Sequence, residues 1–230
     1  MRDLAGPQAI DAGRAEKPVK TLFGWLLFRR ISLPISLRLA RTRIRPWHLT
    51  ALGLFSGLGA GALLGTGRRP ALVAGGLLAL VAKLFDAMDG EVARAKHLDT
   101  SRGYVVDGLC DRLRDVAMLV GAGIGAYRTG NVVALEWTIG AVAGYLGFFY
   151  VSAAAPAHWR EIRSGEDLEA KHMFRLGKIR LGAGDTLAVA VLIAALTGHL
   201  LWLEIAVAVA SPAAIALKLR SLFALRPWER

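Results

Sequence analysis

The chain has 230 residues, 54% of them hydrophobic, with a mean hydropathy of +0.43 and 26 glycines, a balance that suits a polytopic membrane protein of one domain. Its 29 Lys and Arg outnumber 18 Asp and Glu, for a formal net charge of +11, and cluster beside apolar runs, which points to anionic lipid and phosphate-bearing substrates and away from nucleic acid. The only cysteine, Cys110, excludes an internal disulfide.

Residues 1–19 read as a polar tail without an apolar core, so neither fixed structure nor a secretory signal is expected there. Residues 20–47 mix Leu, Phe, Trp and Ile with six arginines and read as an interfacial amphipathic segment on the cytoplasmic leaflet. Pro34 should break or kink any helix in it, giving two short pieces. About six membrane-spanning helices then fill residues 48–225, making an all-α integral membrane domain: near 49–67, 70–95, 103–127, 132–155, 183–200 and 201–222. In the first span Gly53, Gly57, Gly61 and Gly65 recur every fourth residue, a smooth ridge for close helix contact either inside the chain or between two copies. Basic residues outside the spans fall mostly in 1–48, 94–102, 156–180 and 218–230, which by the positive-inside tendency puts both termini, and the turn between the second and third spans, in the cytoplasm of a multi-pass cell-membrane protein.

That turn carries the chemistry. Asp86, Asp89, Asp107 and Asp111 flank it in LFDAMDGEVARAKHLDTSRGYVVDGLCDRLRD. Carboxylates at the ends of apolar spans are costly unless they have a task. Asp86 and Asp89 are three apart, and Asp107 and Asp111 four apart, so each pair shares a helix face. The two pairs have almost the same midpoint, near Leu98. A reversal there brings Asp89 level with Asp107 and Asp86 level with Asp111. Four converging carboxylates repel one another unless divalent cations fill the pocket, and oxygen-only ligands suit Mg²⁺ or Mn²⁺ better than zinc. The five histidines have no metal-ligand spacing.

The pattern Asp86-x2-Asp89-Gly90-x2-Ala93-Arg94-x8-Gly103-x3-Asp107-x3-Asp111 resembles the signature of the CDP-alcohol phosphotransferases. With eight fixed positions at background frequencies near one in fifteen, a chance match is on the order of one in ten million. The resemblance implies a metal-dependent enzyme of phospholipid biosynthesis, a homodimer, in which a CDP-linked donor loses CMP and its substituted phosphate moves to the hydroxyl of a small alcohol or alcohol phosphate. It implies a two-metal site: Asp86, Asp89 and Asp107 around the first cation, and Asp111 near the second, placed to act as general base. Thr50, Asp86, Gly90, Ala93, Arg94, Gly103 and Asp107 are the implied nucleotide contacts. Gly90 and Ala93 make a shallow helix face, Gly103 allows close backbone approach, and Arg94 offers a fork to phosphate. Thr100 or Ser101 is placed to cap the third span.

Two stretches depart from, or add to, that pattern. Where the family carries Pro-Asn-x-x-Thr, this chain reads Pro46-Trp47-His48-Leu49-Thr50, so a polar contact is lost or replaced by stacking. The segment 158–180 is basic, and Arg160, Arg163, Lys171, Arg175, Lys178 and Arg180 could seat a phosphate on the acceptor; an ordinary cytoplasmic loop accounts for them equally well. Asp185 lies just inside the fifth span, facing the same pocket, and Asp115 continues the acidic face or pairs with Arg112 or Arg114. CDP-diacylglycerol is the expected donor. The basic leader also resembles that of the di-inositol-phosphate phosphate synthases, whose donor is CDP-inositol. Intramembrane carboxylates also mark cation pathways. Here they cluster near one face and are not mirrored in the second half, which disfavours transport.

Overall fold

The computed structural model describes residues 21–23, 28–159, 173–176 and 179–223. The expected polar tail at 1–19 and the basic residues Arg160, Arg163, Lys171 and Lys178 lie outside them. Among the described residues these helices follow in order: α1 (Arg29–Ala40), α2 (Pro46–Leu64), α3 (Arg69–Ala95), α4 (Ser101–Arg128), α5 (Ala134–Trp159), α6 (Ala183–Thr197) and α7 (Leu200–Phe223). A helix stands at each of the six expected spans. Among the described residues, four stretches are long and apolar enough to cross a membrane: α2, α3, Ala134–Ser152 within α5 and Leu200–Arg220 within α7. Helix α4 carries Arg102, Asp107, Asp111, Arg112, Arg114 and Asp115 toward its N-terminal end, and α6 has only 15 residues, so neither meets that measure alone.

The apolar residues explain how the six assemble. Helix α2 packs on α3 and α4, α3 on α6, and α5 on α7. Leu64, Leu72, Met118, Leu119, Val191 and Leu200, from five of these helices, meet in one buried core. Phe55, Ile139, Tyr150, Trp202 and Leu217 stand largely exposed on the outer faces. Water would not favour such a belt on a monomer, whereas hydrocarbon solvates it.

The glycine ridge of α2 is taken up inside this bundle. Added Cβ atoms at Gly61 and Gly121 would overlap the backbone of α4 and α2 respectively, and one at Gly53 would lie 3.3 Å from the carbonyl oxygen of Ala82 on α3. Of the two roles the spacing allowed, internal close packing is the one these glycines perform.

Two expectations are corrected. Helix α1 runs unbroken through Pro34. Proline removes one intrahelical bond, but contacts from outside hold the helix together. Ser32, Ser36 and Ala40 form a buried stripe; Ser32 Oγ donates to Glu91 Oε1 at 2.8 Å, and Ala40 packs on Ala95. Within the basic segment, β1 (Met173–Leu176) and β2 (Ile179–Gly182) form an antiparallel hairpin with Arg175 opposite Arg180. The expected loop is therefore partly strand, and β2 leads directly into α6.

Candidate active site

The site is built on the hairpin of α3 and α4. Helix α3 ends where His97 takes a left-handed conformation, φ 53°. The amide of His97 reaches the Arg94 carbonyl at 3.2 Å, and that of Leu98 reaches the Ala93 carbonyl at 2.8 Å, which satisfies the last turn and reverses the chain. Thr100 then caps α4, accepting from the Gly103 amide at 3.1 Å, as its position in the sequence suggests. Lys96 fastens the α1–α2 linker to this turn by donating to the carbonyls of Thr42 and Ile44, at 2.8 and 2.6 Å. Burial and the neighbouring Arg45 push its ammonium pKa down.

The reversal brings the four aspartates together. Asp86 comes within hydrogen-bond reach of Asp111, and Asp89 of Asp107, which is the pairing that the common midpoint predicts. Asp86, Asp107 and Asp111 each present an oxygen within 4.8 Å of the others. Asp89 lies just outside that triad, 3% exposed, and accepts a 2.7 Å hydrogen bond from Thr50 Oγ1 on α2. Asp107 Oδ1 is buried and has no hydrogen-bond partner in the protein. A group of carboxylate oxygens with an unsatisfied acceptor fits a hard, oxygen-seeking cation.

Two cations face the same carboxylates, the half-buried Lys83 and the buried Arg114. Lys83 donates to Asp86 and also lies 3.3 Å from Asp185 on α6. Arg114 Nη1 is 3.0 Å from Asp111 and 3.5 Å from Asp86, while its Nε donates to Asp115 Oδ1 at 3.1 Å. Tyr145 on α5 donates to the other oxygen of Asp115. Asp115 thus pairs with Arg114, and with Arg112 at 3.6 Å, rather than joining the acidic group. Arg112 also lies 3.4 Å over the ring of Phe149.

Above the carboxylates opens a cavity of about 1360 Å³. That exceeds an ordinary single-ligand pocket, which runs to roughly 1000 Å³, and leaves room for two reactants side by side. All seven implied nucleotide contacts, Thr50, Asp86, Gly90, Ala93, Arg94, Gly103 and Asp107, line it, as do Asp111 and Asp185. Trp47 lines it too, 60% exposed, with one face stacked on His48 at a centroid distance of 3.8 Å. His48 is itself fixed by accepting from the Arg45 amide at 3.0 Å. Asp99, Phe149 and Thr21 also line the cavity without having been singled out as site residues by the sequence. Thr21 Oγ1 donates to Asp185 Oδ2 at 2.5 Å, a contact across 164 positions that no local pattern signals.

Comparison with known proteins bears on the family and the fold. The family model for CDP-alcohol phosphatidyltransferase matches residues 43–210. Over 95 residues, 41% of this chain, the sequence is 37% identical to a phosphatidylinositol phosphate synthase of Mycobacterium tuberculosis, covering 42% of that protein. Over 113 residues, 49% of this chain, it is 36% identical to a bifunctional IPC transferase and DIPP synthase of Rubrobacter xylanophilus, covering 24% of that protein. Both matches therefore span less than half of the relative's length. The crystal structure of Mycobacterium tuberculosis phosphatidylinositol phosphate synthase with CDP-DAG bound has the same fold, with a TM-score of 0.65 at 23% identity over 84% of this chain and 94% of that one.

Proposed function

The chain belongs to the CDP-alcohol phosphatidyltransferase family, and we propose that it transfers a phosphatidyl group from CDP-diacylglycerol to the hydroxyl of a small alcohol phosphate, releasing CMP. The observation that carries this reading is the convergence of Asp86, Asp89, Asp107 and Asp111 at the base of one cavity whose walls hold all the implied nucleotide contacts. Inositol phosphate is the acceptor we favour, because a phosphatidylinositol phosphate synthase is among the relatives matched.

Asp86, Asp107 and Asp111, with Asp89 beside them, would hold Mg²⁺ or Mn²⁺. Held by these carboxylates, a divalent ion would supply charge neutralisation for the pyrophosphate and its leaving oxygen. Thr50 and Arg94 orient the nucleotide and its phosphates, and Gly90, Ala93 and Gly103 leave room for it to lie against the helices. Asp111 takes the proton from the acceptor hydroxyl. That oxygen bonds to the phosphorus bearing the lipid, the bond to the bridging oxygen breaks, and CMP leaves with it. Arg160, Arg163, Lys171, Arg175, Lys178 and Arg180 are the proposed seat for the acceptor's own phosphate.

The site opens to the cytoplasm in this reading, with both termini on that side, as the distribution of basic residues favours. A homodimer belongs to it as well and must use outer helix faces, since the glycine ridge is occupied within the bundle.

A second reading has CDP-inositol as donor and another inositol phosphate as acceptor, favoured by the match to a DIPP synthase. Purified protein offered CDP-diacylglycerol or CDP-inositol with a panel of alcohols, with Mg²⁺, with Mn²⁺ and with EDTA, separates the two. CMP release dependent on CDP-diacylglycerol, an alcohol phosphate and a divalent ion is the expected result. Release only from CDP-inositol selects the second reading, and donor-independent ion flux without CMP sinks both.

A further inference from the structure

We infer that Arg114 is a positioning residue: its guanidinium ties Asp111 to Asp86 beneath the acidic group and thereby weakens the hold of that group on divalent cations while aligning Asp111. The inference rests on the reading above, in which these carboxylates take a metal ion.

The arrangement is built for this residue. Arg114 is 3% exposed, yet its guanidinium touches three carboxylates, those of Asp86, Asp111 and Asp115. Its long side chain has space because α2 presents Gly57, where an added Cβ would overlap the Arg114 stem. The Nε side is fixed by Asp115, 1% exposed, which the Tyr145 hydroxyl holds in turn. The network therefore runs from α5 through α4 to α3 and ends on two of the three carboxylates that lie close enough to share an ion.

Two buried atoms mark the open end of the network. Arg114 Nη2 has no hydrogen-bond partner, and neither does Asp107 Oδ1. The guanidinium thus offers one charge to Asp86 and Asp111 that an incoming cation must offset, and it does so at fixed geometry. Removing that charge leaves the carboxylates more negative and less well oriented. Metal affinity and turnover should then move in opposite directions, which a loss of packing alone does not produce.

Mn²⁺ titration of the purified full chain in detergent, read by electron paramagnetic resonance of free Mn²⁺, tests this beside the rate of CMP release. Arg114→Met is expected to bind Mn²⁺ roughly ten-fold tighter while kcat falls by roughly ten-fold or more. Arg114→Lys, which keeps the charge and loses the fork, should return Mn²⁺ affinity toward the wild-type value and restore part of kcat. Gly57→Ala displaces the arginine stem without removing any titratable group and should tighten Mn²⁺ binding in the same direction, so a poorly folding Arg114→Met leaves the question decidable. Unchanged or weaker Mn²⁺ affinity in both Arg114→Met and Gly57→Ala overturns the inference alone. Failure of the wild-type chain to bind Mn²⁺ overturns it together with the metal-dependent reading.

Discussion

Thr50 on α2 donates a 2.7 Å hydrogen bond to Asp89 on α3, fixing a carboxylate that is 3% exposed and lines the cavity. The bond joins the entrance of one helix to the signature on another, across 39 positions. Thr50→Val keeps the shape and removes the donor, leaving a buried carboxylate short of a partner. Such a loss costs roughly 1–3 kcal/mol, so we expect CMP release to fall by about ten-fold, with Thr50→Ser close to wild type. Steady-state kinetics on both variants check it, and equal rates for Val and Ser at this position would refute it.

Asp111→Asn should remove the proton acceptor while keeping the side chain's shape. Turnover is expected to drop by roughly 10²- to 10⁴-fold, with CMP affinity within a few-fold of wild type. Equilibrium binding of CMP alongside the kinetic assay separates the two effects. Near-normal turnover removes Asp111 from the role of base.

Gly61→Val should separate α2 from α4, because any Cβ at that position meets the Ala117 carbonyl. Overpacking of this kind costs roughly 1–3 kcal/mol, so thermal unfolding in detergent should shift down by several degrees and activity should fall with it. An unchanged midpoint would mean that the two backbones are not in contact.

Trp47→Ala should weaken CMP binding more than Trp47→Phe does, if the exposed face of the indole receives the base. Base–aromatic stacking is worth about 1–3 kcal/mol, or several-fold to a hundred-fold in affinity. Quenching of tryptophan fluorescence by CMP, present in wild type and reduced in Trp47→Phe, provides the readout. Equal CMP affinity in all three proteins would confine Trp47 to the membrane interface.

Arg175→Ala should raise the KM for a phosphorylated acceptor by several-fold and leave the KM for the CDP-linked donor within two-fold, given a phosphate seat on the hairpin. A parallel loss with donor and acceptor would instead assign the arginine to the general basic character of that face.

Much of this could be read from the chain itself. The six apolar runs mark the six bundle helices within a few residues, because hydrocarbon demands continuous helix and leaves little choice of element. The near-symmetric spacing of Asp86, Asp89, Asp107 and Asp111 encodes their convergence, since one reversal near Leu98 suffices to pair them. What escaped depends on distant partners. Pro34 looks like a helix breaker until Ser32 is seen donating to Glu91 from 59 positions away. Arg114 looks like one more interfacial charge until Gly57 on another helix is seen to leave room for it. The hairpin at 173–182 gives a weak signal because its strands are four residues each and interspersed with basic residues.

The turn through His97 also sets the phase between two rods. Residues 96–100 join α3 to α4, and the bond from the Leu98 amide to the Ala93 carbonyl fixes where the second rod begins. One extra residue between Gly103 and Asp107 would rotate part of α4 relative to the rest by about 100° and carry Asp111 away from Asp86. Chain length is therefore constrained through the bend as well as on either side of it, in keeping with the fixed eight-residue spacing between Arg94 and Gly103.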